Sequence, residues 1–236
     1  FAADGTPHGA AVNVHDDDGH GAAERDAGER GPQLVVHLRM TGSLMVVDAD
    51  TELNPYTRVV FALDDGRELR FADVRTFGTI HFVGDGRPGP TGLAALGPEP
   101  LADEFTPQVL AQALAGRKAP VKAVLQDQRR VAGLGNIYVD EALHAAGIHP
   151  ERAAGELTDE EIERLHGSVR AVLEEAVAKG GTTIRDYVNS RGEEGQFQLY
   201  LHVYGRAGEP CRRCHAPIER LKVAGRGTHV CPRCQT

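Results

Sequence analysis

The end of the chain constrains it most. Cys211-Arg212-Arg213-Cys214 and Cys231-Pro232-Arg233-Cys234 are two C-x-x-C pairs, and together they hold all four cysteines of the 236 residues. A two-residue spacer lets both thiolates of a pair point at one ion, and two such knuckles complete a tetrahedral Zn²⁺ site. The segment between them, Ile218–Ala224 and Thr228–Val230 around Gly225-Arg226-Gly227, is apolar and β-branched about a glycine turn. It reads as a hairpin carried on two knuckles, a zinc ribbon. The alternatives are paired disulfides or free thiols. Disulfides need an oxidising compartment, and no secretory segment is visible. So short a ribbon has almost no core, which makes the metal its main source of stability.

The same stretch is basic. From His202 to Thr236 seven Arg/Lys stand against two acids, in a chain whose formal net charge is −8. Arg226 is expected at the hairpin tip between two glycines, where an exposed guanidinium fork suits a phosphate. A single arginine on a loop is usually a solvated charge. Here the whole element leans one way, which favours a nucleic-acid contact. Much of the acidic excess sits in Phe1–Gly31, with seven acids and two bases. The distribution of charge decides steering onto a polyanion more than the total does.

No run of about eighteen apolar residues is present, so no membrane-spanning helix is expected. With every cysteine claimed by zinc, a reducing cytoplasm is the expected compartment. The chain opens on Phe1, not Met, and is expected to begin inside a domain. Residues 5–31, rich in Gly, Ala, Asp and His without periodicity, read as a long loop or hairpin insertion. From Gln33 the pattern turns to short β-branched runs at 33–39, 43–48, 57–63, 67–73 and 77–83, split by turn residues, as in an antiparallel sandwich or barrel. A Gly/Pro-rich connector, 84–100, follows. Thr106-Pro107 then opens a helix to about Ala115. Further helices cover about 120–127 and 137–146. Thr158 with Glu161 forms a capping box ahead of a long helix whose apolar stripe is Ile162, Leu165, Val169, Val172 and Ala176, ended by Gly180-Gly181.

Between the second and third helices runs Val131-Ala132-Gly133-Leu134-Gly135-Asn136-Ile137-Tyr138. Free N–H groups at the helix start, with the Asn136 amide, suit a phosphate oxygen. Taken alone it would be an Asn cap on a glycine turn. The basic residues Arg117, Lys118, Lys122, Arg129 and Arg130 nearby favour the phosphate.

With His37-Leu38-Arg39-Met40-Thr41-Gly42-Ser43-Leu44, Asp73-Val74-Arg75-Thr76-Phe77-Gly78, Leu96-Gly97-Pro98-Glu99-Pro100-Leu101, the GLGNIYVDEAL stretch and the Gly225-Arg226-Gly227-Thr228 ribbon in this order, the chain resembles the bacterial formamidopyrimidine-DNA glycosylase family (8-oxoguanine DNA glycosylase/AP lyase). The resemblance implies an α+β multidomain protein. A partial antiparallel β-sandwich is expected over 1–100 with an acidic insertion over 5–31, a helix-two-turns-helix domain over 101–201, and a zinc ribbon over 202–236. It implies a monomer on double-stranded DNA carrying oxidised or abasic sites, and a base-excision activity. The damaged purine is flipped out, removed by imine chemistry, and the strand is cut by β,δ-elimination.

The resemblance also assigns residues. Met40, Arg75 and Phe77 fill the vacated space, although by residue type alone Met40 and Phe77 would read as sandwich core. Asn136 and Arg226 grip a phosphate, and Arg226 is also credited with a catalytic role, read here as clamping and charge balance because arginine is a poor acid. Arg117 is a further DNA contact, Lys122 lines the DNA-facing cleft, and a loop at about 187–197 covers the flipped base. Cys211, Cys214, Cys231 and Cys234 hold one structural zinc. Tyr56 stands where the family often has a DNA-contacting histidine. The family's N-terminal proline nucleophile, the glutamate beside it and a strand lysine are not in the sequence, so the chain as written is expected to bind DNA without cleaving it. Three other readings stand beside this one: a non-catalytic zinc-dependent DNA-binding protein, an endonuclease VIII-type glycosylase acting on oxidised pyrimidines, and a zinc-ribbon protein–protein adaptor, which would show no salt-dependent DNA affinity.

Overall fold

The computed structural model describes residues 33–84, 91–183 and 195–236. The acidic stretch 5–31 and all but the last three residues of the expected covering loop at 187–197 lie outside them. The described residues divide into two compact units, those of 1–91 with 182–195, and those of 92–181 with 196–236.

In the first unit, β1 (Gln33–His37) pairs antiparallel with β5 (Thr79–Val83), and β2 (Gly42–Asp48), β4 (Arg67–Asp73) and β3 (Thr57–Ala62) form a second antiparallel sheet in the order β2-β4-β3. These strands match the β-branched runs, as expected for part of a sandwich. Phe61, Phe71 and Ala72 are buried. Arg70 is buried too, and its guanidinium is satisfied by Glu68 and by the carbonyls of Ala49, Thr51 and Glu52, so it holds the β2–β3 connection in place.

In the second unit a short turn of helix, α1 (Thr91–Ala94), leads to α2 (Pro107–Leu114), α3 (Val121–Leu125), α4 (Asn136–Ala146) and α5 (Asp159–Ala178). The caps are those the sequence predicts. The Thr106 hydroxyl accepts from the Val109 N–H at 3.3 Å, and Thr158 with Glu161 forms the reciprocal box. Gly147 closes α4 with φ 73°. One apolar core joins the helices, and α5 contributes Ile162, Leu165, Val169 and Leu173 to it. Leu173 thus takes the place expected of Val172, which is half-buried against a neighbouring cluster around Ala176, Phe197 and Leu201. The 3.6-residue repeat admits either neighbour at that turn, and packing chooses the larger side chain.

The ribbon is β6 (Glu219–Val223) and β7 (Arg226–Val230), paired antiparallel. It belongs to the same compact unit as the helices. The segment expected as a zinc ribbon over 202–236 meets α4 through the Cys211–His144, His229–Asp140 and Val203–Glu141 contacts.

Candidate functional site

In the sandwich unit the loops 38–41 and 74–78 bring Met40, Arg75 and Phe77 together. The Arg75 guanidinium lies 4.8 Å from the centre of the Phe77 ring, and its Nη1 is 3.4 Å from Met40 Sδ. Neither apolar member is core: Met40 is 77% exposed and Phe77 55%. This overturns the reading from residue type alone.

Asp73 ties the two loops. Its carboxylate accepts from the Thr41 hydroxyl (2.5 Å), the Arg75 N–H (3.2 Å) and the Gly78 N–H (2.8 Å). The Thr41 hydroxyl first, then the Gly78 N–H, hold this carboxyl below its ordinary range. Both loops also need glycine. A Cβ on Gly42 would meet the Leu38 carbonyl oxygen at 2.4 Å, and one on Gly78 would meet the Phe71 ring at 2.5 Å.

In the helical unit, Asn136 is the first residue of α4, and no side chain caps that helix start. Its amide is already engaged. The oxygen accepts from Gln126 Nε2 at 2.8 Å, and Nδ2 donates to the Gly227 carbonyl at 3.0 Å. What Asn136 retains for an anion is its second amide hydrogen and the N–H groups of the first turn. Gln128 braces the loop before it, accepting from the Gly133 N–H and donating to the Leu134 carbonyl.

Arg226 is exposed beside this contact, but not at the hairpin tip. The two-residue turn is Ala224-Gly225, with φ 47° and 82°, and Arg226 pairs with Val223 as the first residue of β7. Positive φ at both turn residues is the I′ geometry that matches strand twist. That places the tip one residue earlier than the glycine pattern suggests.

Lys122 was expected on the DNA-facing surface. It is fully buried instead. Its ammonium donates to Asp140 (2.6 Å), Thr228 Oγ1 (2.8 Å) and the Gly227 carbonyl (3.2 Å). Burial lowers its pKa, the Asp140 carboxylate opposes that, and the Arg226 charge adds to the lowering. Lys122 is therefore a strut between α3 and the hairpin. Arg117 is partly exposed, donates to the Ala113 carbonyl at 2.8 Å, and lines a shallow depression with Lys118, Asp127 and Arg130.

Sequence reasoning missed the acids of α4. Besides Lys122, Asp140 accepts from the His229 N–H at 2.9 Å. Glu141 accepts from the N–H groups of His202, Val203 and Tyr204 at 2.8–2.9 Å. Both carboxylates are buried. The signal lay in Val139-Asp140-Glu141-Ala142-Leu143, where acids interrupt an otherwise apolar helix and so need buried partners.

The four cysteine sulfurs lie within 4.8 Å of one another. Cys211 and Cys234 are 3.9 Å apart, and Cys214 and Cys231 3.4 Å. A tetrahedron with Zn–S of about 2.3 Å has S···S edges of about 3.8 Å, whereas a disulfide needs about 2.05 Å. The donor set fits a structural zinc. Burial pushes the Cys234 thiol up to about 12, and the neighbouring sulfurs add to it. At Cys211 burial acts upward, but the Arg213 and Cys214 N–H groups together with the Cys231 and Cys214 side chains outweigh it and bring the thiol down to about 7.

Three family profiles match in order: the formamidopyrimidine-DNA glycosylase N-terminal domain over residues 20–80, its H2TH domain over 96–188, and the zinc finger found in FPG and IleRS over 208–236. The formamidopyrimidine-DNA glycosylase of Geobacillus kaustophilus is 56% identical over 206 residues, which span 86% of this chain and 74% of that protein. The chain belongs to the formamidopyrimidine-DNA glycosylase family. The enzyme of that name from Symbiobacterium thermophilum is also 56% identical, over 87% of this chain and 68% of its own length. Among solved structures, the MutM (Fpg) protein of Thermus thermophilus shares 46% identity with a TM-score of 0.79, covering 88% of this chain and 77% of that one. The Lactococcus lactis Fpg in complex with DNA containing an abasic site shares 40% identity with a TM-score of 0.78, covering 87% and 75%. The first profile begins at residue 20, inside the stretch read as an insertion. Among the described residues no helix is long and apolar enough to cross a membrane.

Proposed function

We propose that this chain serves base-excision repair of oxidised purines, the bifunctional glycosylase and AP lyase activity of its family, and that its described residues recognise and hold the damaged duplex. The observation that carries the reading is the Asn136 amide bonded to the Gly227 carbonyl, one residue from the exposed Arg226. A helix start and an arginine fork then present donors side by side, which suits the backbone phosphate of a duplex. The zinc fixes the hairpin and takes no part in the chemistry.

Met40, Arg75 and Phe77 form a second element. An exposed thioether and ring bridged by a guanidinium suit the hole left by an extruded base. Phe77 wedges the step, Met40 fills the gap, and Arg75 bonds the widowed partner base. Arg117 adds a sequence-independent phosphate contact. The attack on the sugar carbon is assigned to none of the described residues, and the family's imine-forming proline is not among these 236. Arg226 serves the elimination by holding the phosphate and offsetting leaving-group charge.

The test is anisotropy titration of two duplexes, identical but for one abasic-site analogue, across a range of salt. Tighter binding of the abasic duplex at every salt concentration supports the reading. Equal affinity for the two would leave a general DNA binder.

A further inference from the structure

His144 is buried on α4 and has no part in the phosphate grip or the loop tie. Three neighbours fix it. Its Nε2 lies 3.6 Å from Cys211 Sγ, in a contact closed to solvent. Its carbonyl accepts from Arg213 Nη1 at 2.9 Å. Its ring stacks on His202 with centroids 5.8 Å apart. A cysteine that ligates zinc is a thiolate with no proton to give, so the hydrogen in this contact belongs to the imidazole.

We propose that His144 is a positioning residue of the zinc centre. Its Nε2–H donates to the Cys211 thiolate, withdraws charge from that sulfur and slows its attack on oxidants, so the ribbon keeps its metal under peroxide. Outer partners of metal ligands orient them and tune their basicity, and a less basic thiolate is a weaker nucleophile. The opposed step is balanced as follows. The Cys211 sulfur attacks one peroxide oxygen, the O–O bond breaks, and hydroxide leaves and is protonated to water. The resulting sulfenic acid is attacked by a second thiolate, with Cys234 sulfur 3.9 Å away. A disulfide forms and, with a second proton, the other water leaves. Two thiolates are oxidised by two electrons, the peroxide is reduced, and zinc is released. The contact also joins the metal to the helix that begins at Asn136, so losing the metal loosens the end of α4 opposite the phosphate grip.

The experiment follows zinc release from the zinc-loaded chain under excess hydrogen peroxide, with a chromophoric chelator. His144→Phe keeps the volume and removes the donor, and is expected to release zinc about fivefold faster, the factor one ordinary hydrogen bond is worth. His144→Gln, whose amide N–H has similar reach, is expected to restore the parent rate to within about twofold. Equal rates for parent and His144→Phe overturn the proposal, as does a glutamine variant no slower than the phenylalanine one, because packing alone would then explain the effect. A measurement on the parent stands whatever the variants' stability. With ¹¹³Cd in place of zinc, the Nε2 proton of His144 is expected to show scalar coupling to the metal through the Cys211 sulfur. A resolved Nε2–H resonance without that coupling also overturns it.

Discussion

Nδ2 of Asn136 donates to the carbonyl of Gly227 at 3.0 Å, so a helix start and a hairpin strand 91 residues apart in sequence share one hydrogen bond. The same carbonyl accepts from the buried Lys122. Eight residues further along α4, about 12 Å at helical rise, His144 meets Cys211. The ribbon is thus pinned along α4 at both ends, by the metal knuckle at one and by Gly227 at the other. Between them, Asp140 and Glu141 accept backbone N–H groups from β7 and from the turn at His202, Val203 and Tyr204 ahead of the first knuckle. The position of Arg226 is therefore a property of the joined unit.

Arg226→Ala is expected to weaken binding to damaged and intact duplexes alike and to reduce the salt slope of log K by about one, the signature of one lost phosphate contact. Titrations at four or more salt concentrations decide it. An unchanged slope would remove Arg226 from the interface.

Lys122→Met separates a strut from a surface contact. It leaves the Asp140 carboxylate buried without its cation, which costs about 3–5 kcal/mol. The melting temperature of the helical unit is expected to fall by roughly 10–15 °C. The folded fraction, counted by active-site titration with DNA, should keep the parent salt slope. A stable variant with a shallower slope would return Lys122 to the DNA-facing surface.

Much of the architecture was legible locally. The five strands, the four longer helices, both N-caps and the hairpin follow from periodicity, capping residues and glycines, because each signal lies within a few residues of the element it sets. Non-local facts were not legible. Lys122 reads as surface by residue type, and its burial depends on Asp140 and Thr228, one of them on another element 106 residues away. Met40 and Phe77 read as core by residue type, yet both are exposed. The loops that raise them are held by Asp73, which bonds its own loop at Arg75 and Gly78 and reaches Thr41, 32 residues away. The hairpin tip was off by one residue because glycine marks a turn without fixing its register.

Asp73 makes the recognition loops sensitive to acid. A carboxyl held below its ordinary value in the folded chain contributes stability that is complete above the unfolded value, about 3.9. That contribution is lost as pH falls through the lowered one. The Gly78 amide resonance is expected to hold its position down to about pH 4 and to shift below it. Asp73→Asn cannot accept from all three donors as a carboxylate does. It is expected to lose the preference for abasic over intact duplex while keeping affinity for intact DNA and the parent salt slope. Retention of that preference would show that the tie does not serve lesion recognition.

Zinc removal tests the joined unit as a whole. The ribbon's buried residues are few and two of them are zinc-ligand cysteines, so without the ion the hairpin has little to hold it,. The helices keep an apolar core of their own. Chelation is therefore expected to abolish DNA binding, and to scatter the β6–β7 amide resonances while the far-ultraviolet helical signal stays near its starting value. Binding should return when zinc is restored under reducing conditions. Because each thiol must lose its proton to ligate, zinc affinity should fall as pH is lowered, and zinc binding should release protons into a weakly buffered solution. DNA affinity that survives complete chelation would mean that Arg226 is placed by Lys122 and Asn136 alone, with the metal serving only the chain's terminus.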